Sequence, residues 1–538
     1  MRPSLLPLSS TAESVFTAKR ALRAALIAAI VMAPRPAAAQ AEDEIIDDPM
    51  LHRSPASPGS SPAPLPGPEP VPEKPAAPRI WRAVVTLRGA TQTSWDDLPG
   101  GPKDVFELRA RALLSAGQTV SDRFKWELGV RFDALMHTPK EIANAAYQFE
   151  ARPWESYVDV AIYSRLRLKI GEQIISWGRL DLGSAADVLS PYDLREGPAI
   201  DIDALRIPTP SVLATWFPVD AFQLDVAYTP FFTPDLFDVA GTNYAVLGPN
   251  APIGLTPLFG KLKQQLDPSS FVLLSDQLAG VNAPSARPDN GEVGARATWR
   301  AGPYDLAVTY GFVRSKLPAL QLAPGLAQLL TANGSSAALG AASTVESELA
   351  AGTPLIVARY DRYHQVALDL EGTAGSFTIA GEAGLSPSRT LLARDPSTGL
   401  PVPASSGLAQ TGLKATYVHG ESLTVSAEGS VFATTSLPPA GAGGQPLTYF
   451  VFGPSRRLVL GLLAAHDGIG RHQLDLAVLG TSSGPSLSVI PRYGYKLVEP
   501  LIVGLGAAFF GGPRGDLTSI ANAQKGLDQV FVFLDWRP

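Results

Sequence analysis

From residue 80 onward, apolar and polar side chains alternate with a period of two. In RFKWELGVRFD (123–133), Phe124, Trp126, Leu128, Val130 and Phe132 share one face, while Arg123, Lys125, Glu127, Arg131 and Asp133 share the other. DVFELRARAL sets Phe106, Leu108, Ala110 and Ala112 opposite Glu107, Arg109 and Arg111, and RLRLKI sets Leu166, Leu168 and Ile170 opposite Arg165, Arg167 and Lys169. Strict alternation of this kind describes strands with one apolar and one strongly polar face. Two arrangements use such strands. In a soluble sandwich the apolar faces of two sheets meet each other; in an outer-membrane barrel they meet lipid and the polar face lines a lumen.

Strand number and loop asymmetry separate the two. The pattern predicts about eighteen strands: 81–91, 104–115, 122–136, 154–164, 165–175, 210–217, 220–230, 291–300, 303–314, 354–371, 374–386, 409–418, 421–431, 455–466, 471–481, 486–497, 499–510 and 527–537. Short turns (217–220, 301–304, 372–375, 419–422, 467–470) alternate with mostly long connections (137–153, 176–209, 231–290, 315–353, 387–408, 432–454, 511–526). Long loops on one side and tight turns on the other give an all-β chain: a single closed antiparallel transmembrane β-barrel with short periplasmic turns and long extracellular loops. Closure is required because an open edge in lipid leaves backbone groups unsatisfied. The aromatic girdle is assigned to Trp154, Trp177, Trp216 and Trp299, with Phe509 and Phe510 beside them.

The first 79 residues carry a different message. Lys19, Arg20 and Arg23 precede an apolar stretch (24–33) and Ala37-Ala38-Ala39, the layout of a cleaved signal peptide over 1–39, too short to span a bilayer. Residues 40–79 are acidic and then proline-rich, so they form no core; they read as an extended periplasmic linker that either spans a distance or engages a periplasmic partner. The barrel occupies 80–538. There is no cysteine, which excludes disulfides, thiolate metal sites and a lipidated N-terminus. Loss of 1–39 moves the formal charge from −6 to −10, which argues against nucleic acid. The expected location is the outer membrane of a Gram-negative bacterium, with the lipid bilayer and the barrel-assembly machinery as partners.

Catalytic chemistry finds little support. Gly480-Thr481-Ser482-Ser483-Gly484 matches G-x-S-x-G but falls at a turn between strands instead of a strand–turn–helix elbow, and the six histidines lack ligand spacing. No enzyme activity, cofactor or structural metal is expected. Asp201 and Asp203 with Asp187 and Asp193 have the hard oxygens a Ca²⁺ site needs, against a plain reading as a solvated acidic loop.

The lumen carries the functional content. Arg109, Arg111, Lys125, Glu127, Arg131, Asp159, Arg165, Arg167 and Lys169 are the candidate pore-lining residues, either a basic arc favouring anions or a ladder of cross-strand ion pairs. Asp181, Asp187, Asp193 and Arg195 lie in the connection after residue 175, placed in an extracellular loop or one folded back as a constriction. The connection 315–353 is apolar for an exposed loop, which implies shelter in the lumen or against a partner.

The stretch RLKIGEQIISWGRLD…VLSPYDLREG, continuing into RIPTPSVLATWFPVDAFQLDVAYTPFFTPDLF, resembles a large proteobacterial family of uncharacterised, porin-like outer-membrane proteins. That family shows a Gly-x-Gln on a strand, a Trp-Gly, then an Asn-Pro-x-Asp; here Gly171, Gln173, Trp177, Gly178, Pro191 and Asp193 match, with Ser190 at the Asn position. The likeness extends over most of 80–538 and is specific around 165–237. It implies a channel-like barrel, whose members are associated with hydrophobic or bulky compounds, and supplies no catalytic residues. The chain ends in Trp536-Arg537-Pro538 where a terminal aromatic is common. The expected function is a channel for small or amphiphilic solutes, anionic or hydrophobic; the alternatives are an export conduit for an anionic polysaccharide and a surface-interaction barrel with a closed lumen.

Overall fold

A computed structural model describes residues 81–92, 106–138, 149–181, 183–195, 205–236, 287–332, 335–395, 400–420, 422–435, 448–449, 456–482, 486–511 and 528–537. The signal and linker segments lie outside these residues. In chain order the strands are β1 (Trp81–Gln92), β2 (Phe106–Ser121), β3 (Phe124–Thr138), β4 (Phe149–Tyr163), β5 (Leu166–Gln173), β6 (Thr209–Val219), β7 (Phe222–Thr229), β8 (Glu292–Ala301) and β9 (Tyr304–Arg314). A small pair, β10 (Ala319–Leu322) and β11 (Ile356–Arg359), brackets two helices, α1 (Pro324–Thr331) and α2 (Ser335–Ala350). The series resumes with β12 (Arg362–Ala374), β13 (Phe377–Arg394), β14 (Pro401–His419) and β15 (Leu423–Thr434), then the two-residue β16 (Thr448–Tyr449). It ends with β17 (Arg456–Ile469), β18 (His472–Thr481), β19 (Ser486–Val498), β20 (Leu501–Gly511) and β21 (Gln529–Trp536).

Setting aside β10, β11 and β16, eighteen strands remain, and each pairs antiparallel with its neighbours in sequence. The last, β21, pairs with the first, β1, from Val85↔Trp536 to Gln92↔Gln529, so the sheet closes. Both chain ends of the barrel lie on the side of the tight turns. Gly375, at φ 60°, makes one of these turns, a backbone conformation that a side chain disfavours.

The period-two pattern is realised inside out relative to a soluble protein. On β3, Leu128 is 61% exposed on the outer face while Arg131 and Asp133, on the inner face, are each 1% exposed. On β9 and β12 the outer face carries Leu306, Val308, Val366, Leu368 and Leu370, all exposed, and the inner face carries Thr309, Gln365 and Asp369, all buried. An apolar outer face is stable only against lipid, where it forms the hydrophobic band of the barrel.

The structure corrects three expected segments. Residues 387–408 are not a long loop: β13 and β14 continue to Arg394 and from Pro401, paired with each other out to Arg394↔Pro401. Residues 356–359 leave the wall to pair with 319–322, so the barrel strand begins at Arg362. The connection 315–353 is largely helical, and its apolar residues bury one another: Leu326, Leu329, Leu330, Val345 and Leu355 close around the β13–β14 tip at Leu400.

Leu128 lies partway up β3 on the lipid face, whereas the neighbouring Glu127 points inward and accepts a hydrogen bond from the Tyr157 hydroxyl at 2.8 Å. Leu128→Arg is therefore expected to destabilise the barrel in vesicles by about 2–4 kcal/mol in a urea titration, and Glu127→Gln by less than ~0.5 kcal/mol.

Candidate functional site

The chain does not leave the barrel at the end of β5. Residues 174–189 turn inward, run along the inner wall as far as β15 and return at Ser190. The two ends are tied together there: Ser190 Oγ accepts from the Ile175 amide at 2.8 Å and donates to the Ile175 carbonyl at 3.0 Å. Gln173, fully buried, donates from its side-chain amide to the carbonyls of Lys169 and Ser211, fixing the point of departure. Beneath it, Gly171 has φ 137°, and a Cβ there would sit 2.2 Å from the Ser156 carbonyl oxygen. It faces the bulge where β4 departs from its register with β3.

The excursion lies on a track of small residues that continues across the inner wall. A Cβ on Gly294 of β8 would meet Trp177 at 2.7 Å; on Gly311 of β9, Val188 at 2.9 Å; on Gly384 of β13, Ala185 at 2.5 Å; and on Gly412 of β14, Leu180 at 2.6 Å. Gly294 and Gly311 are direct cross-strand partners, as are Ala367 and Gly384. With Gly183 against Phe432 of β15, the excursion reaches a wall eight barrel strands round the ring from its own. Ile175, Trp177, Ala185, Ala186, Val188 and Leu189 form one buried cluster with Val313, Tyr363 and Ala367 of the wall.

Its polar groups are met by the same wall. Glu382 of β13 accepts from the amides of Arg179 and Leu180 on one oxygen, the second at 3.0 Å. Its other oxygen takes the Ser184 hydroxyl at 2.7 Å and the amides of Ala185 and Ala186 at 2.8 and 3.4 Å. Arg179 reaches Asp369 at 3.3 Å and Glu371 at 3.1 Å, while Arg296 bonds Asp369 at 2.7 Å and the Trp177 carbonyl. Asp181 is held by Lys414 at 2.6 Å and by Glu428 through its amide at 2.7 Å.

On the return, Asp187 accepts from Tyr192 Oη at 2.8 Å and from Arg206 at 2.9 Å. Burial nevertheless raises the Asp187 carboxyl above the usual carboxylate range. Asp193 bonds Arg195 and Arg152 at 2.8 and 2.9 Å, with Arg131 at 3.6 Å. Burial opposes its ionisation, but those guanidiniums outweigh burial and hold it well below the ordinary range. Arg195 also pairs with Glu150 of β4 at 2.8 Å. Asp235, beyond β7, accepts the Tyr192 amide at 2.7 Å, and burial pushes its carboxyl up to about 6.

Residues 111–467 match the model of a family described as "Protein of unknown function (DUF1302)". The chain belongs to this family. Among solved structures, DUF1302 resemblance in fold is to Acinetobacter baumannii OccAB1 (10% identity, 85% of this chain and 96% of that one, TM-score 0.44). Pseudomonas aeruginosa OccK8 (OprE) is similar at 10% identity over 85% and 98%, with TM-score 0.45. Pseudomonas aeruginosa OpdK with vanillate follows at 13% over 85% and 98%, with TM-score 0.42. No curated protein matches the chain.

In this DUF1302 chain the residues of the Gly-x-Gln, Trp-Gly and Ser-Pro-x-Asp pattern are those that launch, seat and close the excursion. Gly171 and Gln173 set its departure, Trp177 and Gly178 begin the inward run, and Gly178 leaves room for Ser184, whose Oγ would lie 2.0 Å from an added Cβ. Ser190 ties the base, the Pro191 carbonyl accepts from the Ile207 amide, and Asp193 joins the arginines of β3 and β4.

Of the sequence-derived pore residues, Arg109, Arg111, Lys125, Glu127, Arg131, Asp159, Arg167 and Lys169 point inward. Most are spent in pairs: Arg109 with Glu107, Arg111 and Arg131 with Asp133, Arg167 with Asp159, and Lys125 with Glu127 at 3.7 Å. Lys169 stacks its ammonium on the Tyr157 ring at 3.6 Å. Arg165 does not line the lumen; it sits in the β4–β5 turn and donates to the Pro218 carbonyl. Two girdle tryptophans are also corrected. Trp177 is 8% exposed and packs in the lumen; Trp154 is 9% exposed on the inner side of β4, beneath the guanidiniums of Arg131 (4.9 Å) and Arg152 (5.7 Å). Phe510 likewise packs inward, with Phe531 and Phe533. Trp216 and Trp299 are 47% and 54% exposed on the outer face.

Asp181, Asp187, Asp193 and Arg195 all lie in or beside the excursion. Asp201 and Asp203 fall outside the described residues, and Asp187 and Asp193 are engaged by arginines, so the Ca²⁺ reading gains no partner set among the described residues. Ser482 lies in the β18–β19 connection, with a strand on either side, and accepts from the Leu458 amide. Sequence reasoning passed over Glu382, Arg179, Arg152 and the glycine track; the one visible signal was Glu382 itself, alone in the small, apolar run TIAGEAGLS.

The raised Asp235 carboxyl sets a pH dependence. Its folded value of about 6 exceeds the ordinary 3.8, so its contribution is present in full below pH ~4 and is lost as pH rises through about 6. The urea midpoint in vesicles is expected to be higher at pH 5 than at pH 7.5, and Asp235→Asn is expected to reduce the difference.

Proposed function

We propose that the protein is an outer-membrane channel in which residues 174–189 form a fixed constriction. The observation that carries this reading is the excursion itself, which lies inside a closed eighteen-strand barrel and is bonded to β13 through Glu382. A barrel of this strand number encloses more space than its own side chains fill, so a segment lying inside it narrows the aperture. The apolar outer face fits lipid, and the long connections on one side fit the cell exterior of a Gram-negative bacterium.

The solutes this aperture suits are small. Guanidiniums and carboxylates line it as neutralising pairs, with a surplus of arginine on the β1–β4 side, where Arg88, Arg109, Arg111, Arg131, Arg152 and Arg195 meet Glu107, Asp133, Glu150 and Asp193. On the far side, among the described residues, Asp181, Asp369, Glu371, Glu382 and Glu428 meet Arg179, Arg296 and Lys414, so the two surpluses offset and the lining supports no net preference between anions and cations. An export conduit for a polysaccharide needs a continuous, wide basic track, and an excursion seated against the wall leaves less room for one. No catalytic step is assigned to the chain.

Conductance in planar bilayers tests this. The native protein is expected to give small, steady steps, and Glu382→Ala, which leaves the excursion's amides without their acceptor, is expected to give larger and noisier ones. Native steps already as large as those of the variant would refute the constriction, and absence of any conductance in both would favour a closed barrel.

A further inference from the structure

We infer that the outer rim of β8, β9 and β12 binds the phosphate of a membrane lipid headgroup in the leaflet on the long-loop side. The inference begins with a like-charge contact. Arg314, the last residue of β9, and Arg362, the first of β12, are direct cross-strand partners on the outer face. Two cations placed opposite one another destabilise a sheet unless something between them is anionic. Neither guanidinium makes a salt bridge to a carboxylate among the described residues, although Glu292, Asp361 and Asp289 lie near enough to attract Arg314. Arg362 donates to the carbonyls of Asp289 and Gly291, and Arg314 to the Tyr360 carbonyl and the Asn290 side chain at 2.8 and 2.7 Å. Arg314 Nε, itself buried, has no acceptor among the described residues.

The nearby carboxylates are occupied or too few. Asp361 is held by Arg359 at 3.0 Å and by the Thr390 hydroxyl at 2.7 Å. Glu292 points inward and pairs with Lys316 at 2.5 Å. Among the described residues Asp289 is the remaining carboxylate on the rim, and Arg287 beside it is exposed and cancels it, so Arg314 and Arg362 leave a surplus of two positive charges there.

The position matches a headgroup. Below the two arginines the outer face is aromatic: His364 stacks on Phe312 at 4.8 Å, Tyr310 Oη meets His364 Nδ1 at 2.8 Å, and the Arg362 guanidinium lies 5.2 Å from the Phe312 centroid. Beneath that belt come Val308, Val366, Leu306, Leu368 and Leu370, and then Tyr304 at the tight-turn end. Ten residues of tilted strand separate Tyr304 from Arg314, a height of about 26 Å, against an apolar band of ~25 Å in barrels of this kind. The guanidiniums therefore stand just above the hydrocarbon, where lipid phosphates lie. Planar guanidinium forks fit phosphate oxygens, and a phosphate between the two would relieve their repulsion.

The test is made on the full chain in detergent, by native mass spectrometry after exchange into nanodiscs containing bisphosphorylated lipid A, or phosphatidylcholine alone, followed by release. The wild type is expected to retain lipid A. Arg314→Gln/Arg362→Gln is expected to lose at least about tenfold in retention, since two charge-assisted bonds are removed. Arg314→Lys/Arg362→Lys is expected to recover part of it, and the single Arg362→Gln to fall between. The heat-induced gel shift reports whether each variant is folded, and bilayer conductance should be unchanged, which separates this site from the channel reading. Equal retention by the double glutamine variant would overturn the proposal. So would displacement of lipid A by an equal concentration of inorganic phosphate, which would mark a free-anion site.

Discussion

The carboxylate of Glu382 is the contact on which the interior of this barrel depends. A chain segment that leaves a sheet and runs inside a lumen carries amides with no ladder to receive them, and each buried amide left unpaired costs about 1–3 kcal/mol. Glu382 receives four such amides and one hydroxyl. The dependence runs both ways, because a carboxylate on the inner wall at 3% exposure is itself stable only when its charge is met by donors. Excursion and acid are thus each unfavourable alone and favourable together.

The glycine track is the second half of the same solution. Glycine weakens a strand by roughly 0.5–1 kcal/mol relative to alanine, yet β8, β9, β13 and β14 each place one on the inner face beneath the excursion. The closed ladder absorbs that weakness, and the rings and methyls of Trp177, Val188, Leu180 and Ala185 fill the space that the missing side chains leave. Burying those apolar groups at about 25 cal/mol per Å² holds the segment against the wall without a directional bond. Polar capture by Glu382 fixes register, and apolar seating on glycine fixes depth.

How much of this the amino-acid sequence disclosed follows from what imposes a pattern. Lipid demands an apolar outer face at every second residue, so all eighteen barrel strands were legible in period two. Where lipid ends, so does the signal: residues 387–408 read as a loop because Pro387, Pro401 and Pro403 and their serines alternate with nothing, yet they extend a hairpin. Trp154 and Trp177 were misread for a different reason. Tryptophan suits either a membrane interface or a stacked cation, and only the β3–β4 bulge and the inward turn after Gln173 choose between them. The acidic residues Asp181, Asp187 and Asp193 do lie in or beside the inward excursion. Their partners could not be found, because Glu382 is some two hundred residues from the amides it receives and nothing local encodes that meeting.

The anchoring also decides whether the excursion can move. A lid must exchange between two states of similar energy, which requires few contacts on one side. Residues 174–195 are tied at opposite ends of the lumen: to Asp369, Glu382, Lys414 and Glu428 on one wall, and through Asp193 and Arg195 to Arg131, Arg152 and Glu150 on the other. Opening would break both sets at once and leave several charges buried without partners, each such loss costing about 3–5 kcal/mol. No single solute contact supplies that much. The excursion is therefore held as a fixed part of the inner wall, and in the channel proposed above the charges and width it leaves would be constant.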